Sequence, residues 1–206
     1  MIPENIYRLI AILRGLNPRD AEAVGGRLID AGITTLEVPL NRPGALEAIE
    51  LLVRTFGKQA IIGAGTVLCV DDIDRIKNIG GNLIVSPNCN PAVISATKKA
   101  NMISVPGIFT ATEALTAIGA GADLLKAFPA NVLTPQGLKA LRAVLPSETP
   151  IIPVGSIQPD SFAAWVSAGA AGFGLGSLIF DEKQQLEDIR KRSENLATQI
   201  NSLFDN

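Results

Sequence analysis

One unit recurs along most of this chain: an amphipathic stretch, a stop at Ala-Gly or Gly-Gly, then a short apolar run ending in Pro or polar residues. The copies are DAGITTLEVPLN (30–41), NIGGNLIVSPN (78–88), KANMISVPG (99–107), GAGADLLKAFPA (119–130) and SAGAAGFGLGS (167–177). Between them lie stretches of helical period, such as PGALEAIELLVRTF (43–56), NPAVISATKKA (90–100) and TATEALTAIGAGA (110–122). Glycine at a helix end takes the left-handed cap, and a run apolar on both faces suits a parallel strand covered by helices. With LIAILRG (9–15), AIIGAGTV (60–67) and IIPVGSI (151–157), eight strands are predicted, ending near residues 14, 39, 65, 86, 106, 128, 155 and 176. Their spacing of about 20 to 28 residues is that of successive βα units. The expectation is an α/β chain forming a single (β/α)8 TIM barrel, with a closed eight-stranded parallel core and one domain over residues 1–206. A doubly wound open sheet is the alternative. LEDIRKRSENLATQINSLF (186–204) reads as a closing amphipathic helix.

Charge and composition narrow the function. The 206 residues carry a formal net charge of -2 without a sizeable basic cluster, which argues against a nucleic-acid surface but permits a local pocket for a small anion. No apolar run approaches the ~20 residues that cross a bilayer. The opening MIPENIYRLIAILRG lacks the blocks of a signal peptide, so a cytoplasmic location is expected. Cys69 and Cys89 have no CxxC spacing and read as reduced structural thiols. There is no histidine. That removes Ser-His-Asp and Cys-His catalysis and the usual imidazole ligands of catalytic zinc, so no metal is expected; the expectation is of no cofactor either. Acid–base chemistry is left to carboxylates, Lys, Cys, bound water or the single Tyr7.

In a β/α barrel the reacting groups come from the carboxyl ends of the strands. Of eight lysines, only Lys126 sits inside an apolar strand (LLKAFP), and Glu37 is the one acid in mid-strand, in TLEVPL. Arg14 ends the first strand. A charge in such a place costs several kcal/mol unless paired or neutralised, so a buried ion pair is one reading. The other is a nucleophilic amine, kept unprotonated by desolvation and the Arg14 charge, beside the general acid/base Glu37. VGSI (154–157) and GLGSL (174–178) follow strands seven and eight, where backbone N–H groups bind phosphate in this fold. Thr66, in GAGT, could hold a water or a substrate oxygen. Pro87 in SPN and the VPG turn (105–107) shape a pocket wall, and Phe128 suits either the core or a substrate contact.

The set LEVPLN, GAGTV, SPN, PG, LLKAFPA, VGSI and GLGS, in this order, resembles the 2-keto-3-deoxy-6-phosphogluconate/galactonate aldolase family from about residue 8 to 180. The resemblance implies a homotrimeric β/α barrel that cleaves a keto-acid sugar phosphate to pyruvate and D-glyceraldehyde 3-phosphate. It implies Lys126 as the imine-forming lysine, Glu37 as acid/base, Thr66 as a substrate or water contact, and Gly155-Ser156 and Gly176-Ser177 as the phosphate turns. Two features resemble the galactonate branch. Asn41 stands where gluconate-type enzymes commonly have Arg, leaving Arg14 to hold the carboxylate, and Val154 stands where they commonly have Thr. Ser156 departs from the usual Gly and restricts φ in the turn.

Two other classes compete. A sugar-phosphate isomerase or epimerase would share the phosphate turns, but the metal-dependent kind needs His ligands this chain lacks. A non-catalytic phosphosugar-binding barrel would have no use for Lys, Glu and Arg together at one set of strand ends.

Overall fold

The computed structural model describes residues 3–183 and 185–205. Each expected apolar run becomes a strand: β1 Leu9–Ile12, β2 Thr35–Pro39, β3 Ile61–Gly65, β4 Leu83–Val85, β5 Ile103–Val105, β6 Gly107–Ile108, β7 Leu125–Ala127, β8 Ile151–Pro153 and β9 Phe173–Leu175. The helices are α1 Glu4–Tyr7, α2 Ala21–Asp30, α3 Ala45–Phe56, α4 Asp71–Asn78, α5 Pro91–Lys99, α6 Ala111–Gly119, α7 Ala130–Arg142, α8 Phe162–Ser167 and α9 Leu186–Ser202.

The glycine stops behave as the sequence implies. After α2, α4, α6 and α8 the chain turns through Gly32, Gly80, Gly121 and Gly169, all at positive φ. In each case the next amide reaches back to close the last turn, as Ile33 N–H does to the Leu28 carbonyl at 2.9 Å. After α5 the same step is taken by Asn101 (φ 60), and Met102 N–H closes on the Thr97 carbonyl at 3.1 Å. Asparagine is the residue that best tolerates that conformation after glycine. The cap then aims the chain straight into the next strand.

The expectation of one closed eight-stranded barrel is corrected. The strands form two parallel sheets, one of six in the order β5-β4-β3-β2-β1-β9 and one of three in the order β6-β7-β8. One break falls at Pro106, which has no N–H to donate and splits the fifth apolar run into β5 and β6. The other falls between β8 and β9, which share a single bridge, Val154 to Gly174. Strands of three residues offer too few bonds to carry a ladder past such points.

Two apolar clusters divide the sheet faces. In β1, Leu9 and Ala11, with Leu13 just beyond it, join the large cluster shared with the helices, while Ile10 and Ile12 join a smaller one on the opposite face with Leu83, Val85, Val105, Leu124, Ile152 and Val154. Side chains alternate along a strand, so every second residue is committed to that inner face. Among the described residues no helix is long and apolar enough to cross a membrane.

Candidate active site

Parity places the two anomalous charges. Leu36 and Val38 flank Glu37 and face the helices; Leu125 and Ala127 do the same for Lys126. Glu37 and Lys126 therefore both project onto the inner face. Ladder register fixes their heights: Glu37 pairs with Ile12 and Gly63, Lys126 with Gly107 and Ile152. Glu37 is 2% exposed and Lys126 7%.

They open onto a cleft of about 630 Å³ at the carboxyl ends of the strands. Arg14, Glu37, Thr66, Pro87, Lys126, Phe128, Val154, Gly155, Ser156, Gly176 and Ser177 all line it, whereas Asn41 and the 105–107 turn are not among its lining residues. Backbone bonds hold this rim: Leu13 N–H donates to the Glu37 carbonyl at 2.8 Å, Lys126 N–H to Pro106 at 2.9 Å and Ala130 N–H to Val154 at 2.9 Å.

Burial sets the electrostatics. It pushes the Glu37 carboxyl up to about 7, against the opposing pull of Lys126 and then Arg14. It pushes the Lys126 ammonium down; Glu37 resists that shift and Arg14 adds to it. Among the described residues Lys126 makes no ion pair within 4.0 Å, and Glu37 Oε2 has no hydrogen-bond partner. The Lys126 Nζ lies 5.0 Å from the centre of the Phe128 ring, an attraction that partly offsets its desolvation. A buried amine and a carboxyl titrating near neutrality face the same cavity, and such a pair can exchange protons with a bound molecule at neutral pH.

Small residues make room for this chemistry. A Cβ on Gly65 would fall on the Glu37 carboxylate, and one on Gly107 would collide with the Pro87 carbonyl. Pro87 lines the cleft, and Gly107 packs behind it without lining the cleft itself. Thr66 (φ 56) and Ser156 (φ 51) are left-handed residues inside the cleft. Backbone strain of about 1–3 kcal/mol at a non-glycine position is characteristic of functional sites.

The two glycine turns lead into short elements. VGSI runs into a 3-10 turn, Pro159–Ser161, and the six-residue α8; the 174–178 turn reaches α9 only at Leu186. Neither turn abuts the start of a long helix, so any anion there meets amides and hydroxyls rather than a strong helix dipole.

The cleft also takes in Arg42, Asp181, Glu182 and Lys183, which sequence reasoning missed. Arg42 stands three residues past β2, and extending each strand end that far would have found it. Glu182 packs over Gly15, where any side chain would strike its carboxylate. No local pattern announces that contact. Both cysteines are free, Cys69 exposed and Cys89 half-buried.

Comparison with known proteins points the same way. Residues 5–193 match the family model for KDPG and KHG aldolases. The 2-dehydro-3-deoxy-6-phosphogalactonate aldolase of Escherichia coli strain K12 is 46% identical over 179 residues, which cover 87% of this chain and 87% of that protein. A solved structure described as native KDPGal superposes with a TM-score of 0.93 at 41% identity, covering 96% of each chain. A KDPG aldolase of Legionella pneumophila, solved with pyruvate captured as a covalent carbinolamine, superposes with a TM-score of 0.82 at 26% identity, covering 97% of this chain and 95% of that one.

Proposed function

The chain belongs to the KDPG and KHG aldolase family, and from that premise we propose that it cleaves 2-dehydro-3-deoxy-6-phosphogalactonate to pyruvate and D-glyceraldehyde 3-phosphate through an imine on Lys126. One observation carries the reading: the one buried lysine among the described residues faces a cleft shared with a carboxyl that titrates near 7. The pyruvate adduct in the Legionella relative supports covalent chemistry of this type.

Lys126, whose ammonium form burial disfavours, adds its Nζ to the C2 ketone, while Arg14 anchors the neighbouring carboxylate. Glu37 protonates the departing hydroxyl and water leaves, giving the protonated imine. That imine draws electrons as a base removes the proton from the C4 hydroxyl, and the C3–C4 bond breaks. D-glyceraldehyde 3-phosphate departs, leaving an enamine on Lys126. Glu37 supplies the proton to C3, directly or through one water, and hydrolysis of the imine releases pyruvate. A carboxyl near 7 can both give and take a proton in these steps. Thr66 contacts the substrate or the water, Pro87 and Phe128 flank the pyruvyl end, and Gly155-Ser156 and Gly176-Ser177 hold the phosphate. The assignment of one catalytic domain, the homotrimeric assembly and the cytoplasmic location rest on the family resemblance and the sequence, and belong to the same proposal.

The gluconate epimer is the second reading, with the same mechanism. Val154 favours galactonate because it offers a methyl group where a hydroxyl would reward the other configuration.

Incubation with pyruvate followed by borohydride, with mass spectrometry of peptides, tests the chemistry. A stable adduct on Lys126 is expected. No adduct, or one on surface lysines alone, would reject it.

A further inference from the structure

Gly15 follows Arg14 just past the end of β1, takes φ 82, and has the Glu182 side chain where its own Cβ would fall. Glu182 reaches that place from the other end of the chain, six residues beyond Gly176. Because β1 and β9 pair in parallel, the segment leaving β9 emerges beside the end of β1. Ile179 and Phe180 fasten this segment. Both are buried, and their amides donate to the Gly176 carbonyl at 2.8 and 2.9 Å. Lys183 N–H then donates to the Asp181 carboxylate at 2.9 Å and closes a turn around Glu182.

The Glu182 carboxylate is thereby set against the cleft with nothing to bind. It lines the cavity, is exposed, and among the described residues makes neither an ion pair within 4.0 Å nor a hydrogen bond. A lone carboxylate repels an anionic substrate, and it accepts hydrogen bonds without donating any. A substrate hydroxyl is the group that makes such a neighbour favourable, since an O–H bond to a charged acceptor is stronger than one to a neutral acceptor. Position selects the hydroxyl. In the reading above, Arg14 at the end of β1 takes the carboxylate and Gly176-Ser177 at the end of β9 takes the phosphate. Glu182 bridges those two strand ends, alongside the middle of a molecule stretched between them. The C4 hydroxyl is consumed in bond cleavage, which leaves the hydroxyl on C5.

We propose that the Glu182 carboxylate accepts a hydrogen bond from the C5 hydroxyl and so selects aldehydes hydroxylated on the carbon next to the carbonyl, an inference that rests on the aldolase reading.

The test uses Glu182→Ala and Glu182→Gln in the full chain, measuring pyruvate condensation with D-glyceraldehyde 3-phosphate and with 3-oxopropyl phosphate. The second aldehyde keeps the phosphate and lacks only that hydroxyl. The ratio of the two kcat/KM values, hydroxylated over deoxy, is expected to fall about 10-fold in E182A. It should fall less in E182Q, whose amide oxygen still accepts but carries no charge. A ratio that stays in place or rises in E182A overturns the proposal. Equal gains on both aldehydes would mean that Glu182 only repels the phosphate, and equal losses that it only shapes the cleft. The pyruvate–borohydride adduct in the unmodified protein separates the two ideas. Its absence sinks the aldolase reading, while its presence with an unchanged ratio sinks only the role of Glu182.

Discussion

The Glu37 carboxylate occupies the space that a side chain on Gly65 would need: β2 and β3 pair Glu37 with Gly63 and Pro39 with Gly65, and the carboxylate reaches past its own register partner to the bare end of β3. Gly65→Ala should therefore move the carboxyl. We expect kcat to fall about 100-fold or more and stability to drop by about 1–3 kcal/mol from overpacking. Steady-state kinetics and a thermal melt check both. Near-normal kcat would show that Glu37 is not held where the reaction needs it.

Glu37→Gln separates catalysis from stability. The folded pKa of about 7 lies above the ordinary 4.5, so between those values the native protein binds more protons than the unfolded chain. Stability from this group is present below pH 4.5 and is lost as pH rises through 7. The variant has no such loss. It should match the parent at pH 4.5 and exceed it at pH 8 by about 1–3 kcal/mol, while kcat falls about 100- to 10,000-fold. Denaturant unfolding at the two pH values reads the first effect. Parallel pH dependence in the two proteins would mean that Glu37 is not buried as an acid.

Arg14→Gln bears on both titrating groups. Arg14 holds Glu37 down and also holds Lys126 down, so its removal lets both rise. The pH–rate profile should shift to the alkaline side, and KM should rise about 10-fold or more if Arg14 also holds the substrate carboxylate. A profile that stays in place with an unchanged KM would remove Arg14 from the site.

Val154→Thr tests the choice of sugar. Val154 lies in the wall beside Gly174, and Thr fills the same volume with one methyl exchanged for a hydroxyl. The kcat/KM ratio of gluconate to galactonate substrate should rise about 10-fold, at a stability cost of about 1 kcal/mol for the half-satisfied hydroxyl. Cleavage rates on both substrates decide it. A parent protein that prefers the gluconate form would reject the assignment outright.

Much of this molecule was legible before folding because its signals are local. A glycine or asparagine at a helix end, an apolar run of strand length, and a lone Lys126 or Glu37 among apolar neighbours each state their roles within a few residues. Strand alternation then puts both charges on one face. The convergence of Arg14, Thr66 and the two serine turns followed from counting strands, since all strand ends in a parallel array point the same way.

What tertiary structure alone decided is continuity and contact. Whether short neighbouring strands share an unbroken ladder depends on bonds between distant segments, so Pro106 and the single Val154–Gly174 bridge divided the array where periodicity implied closure. Burial likewise depends on every surrounding element, and it set the pKa directions of Lys126 and Glu37. The packing of Glu182 over Gly15, the presence of Arg42 in the cleft and the left-handed turn at Ser156 belong to the same class. Sequence determined which groups the protein possesses and which face of each strand they take; the folded arrangement determined how far each is removed from water, and hence what it can do.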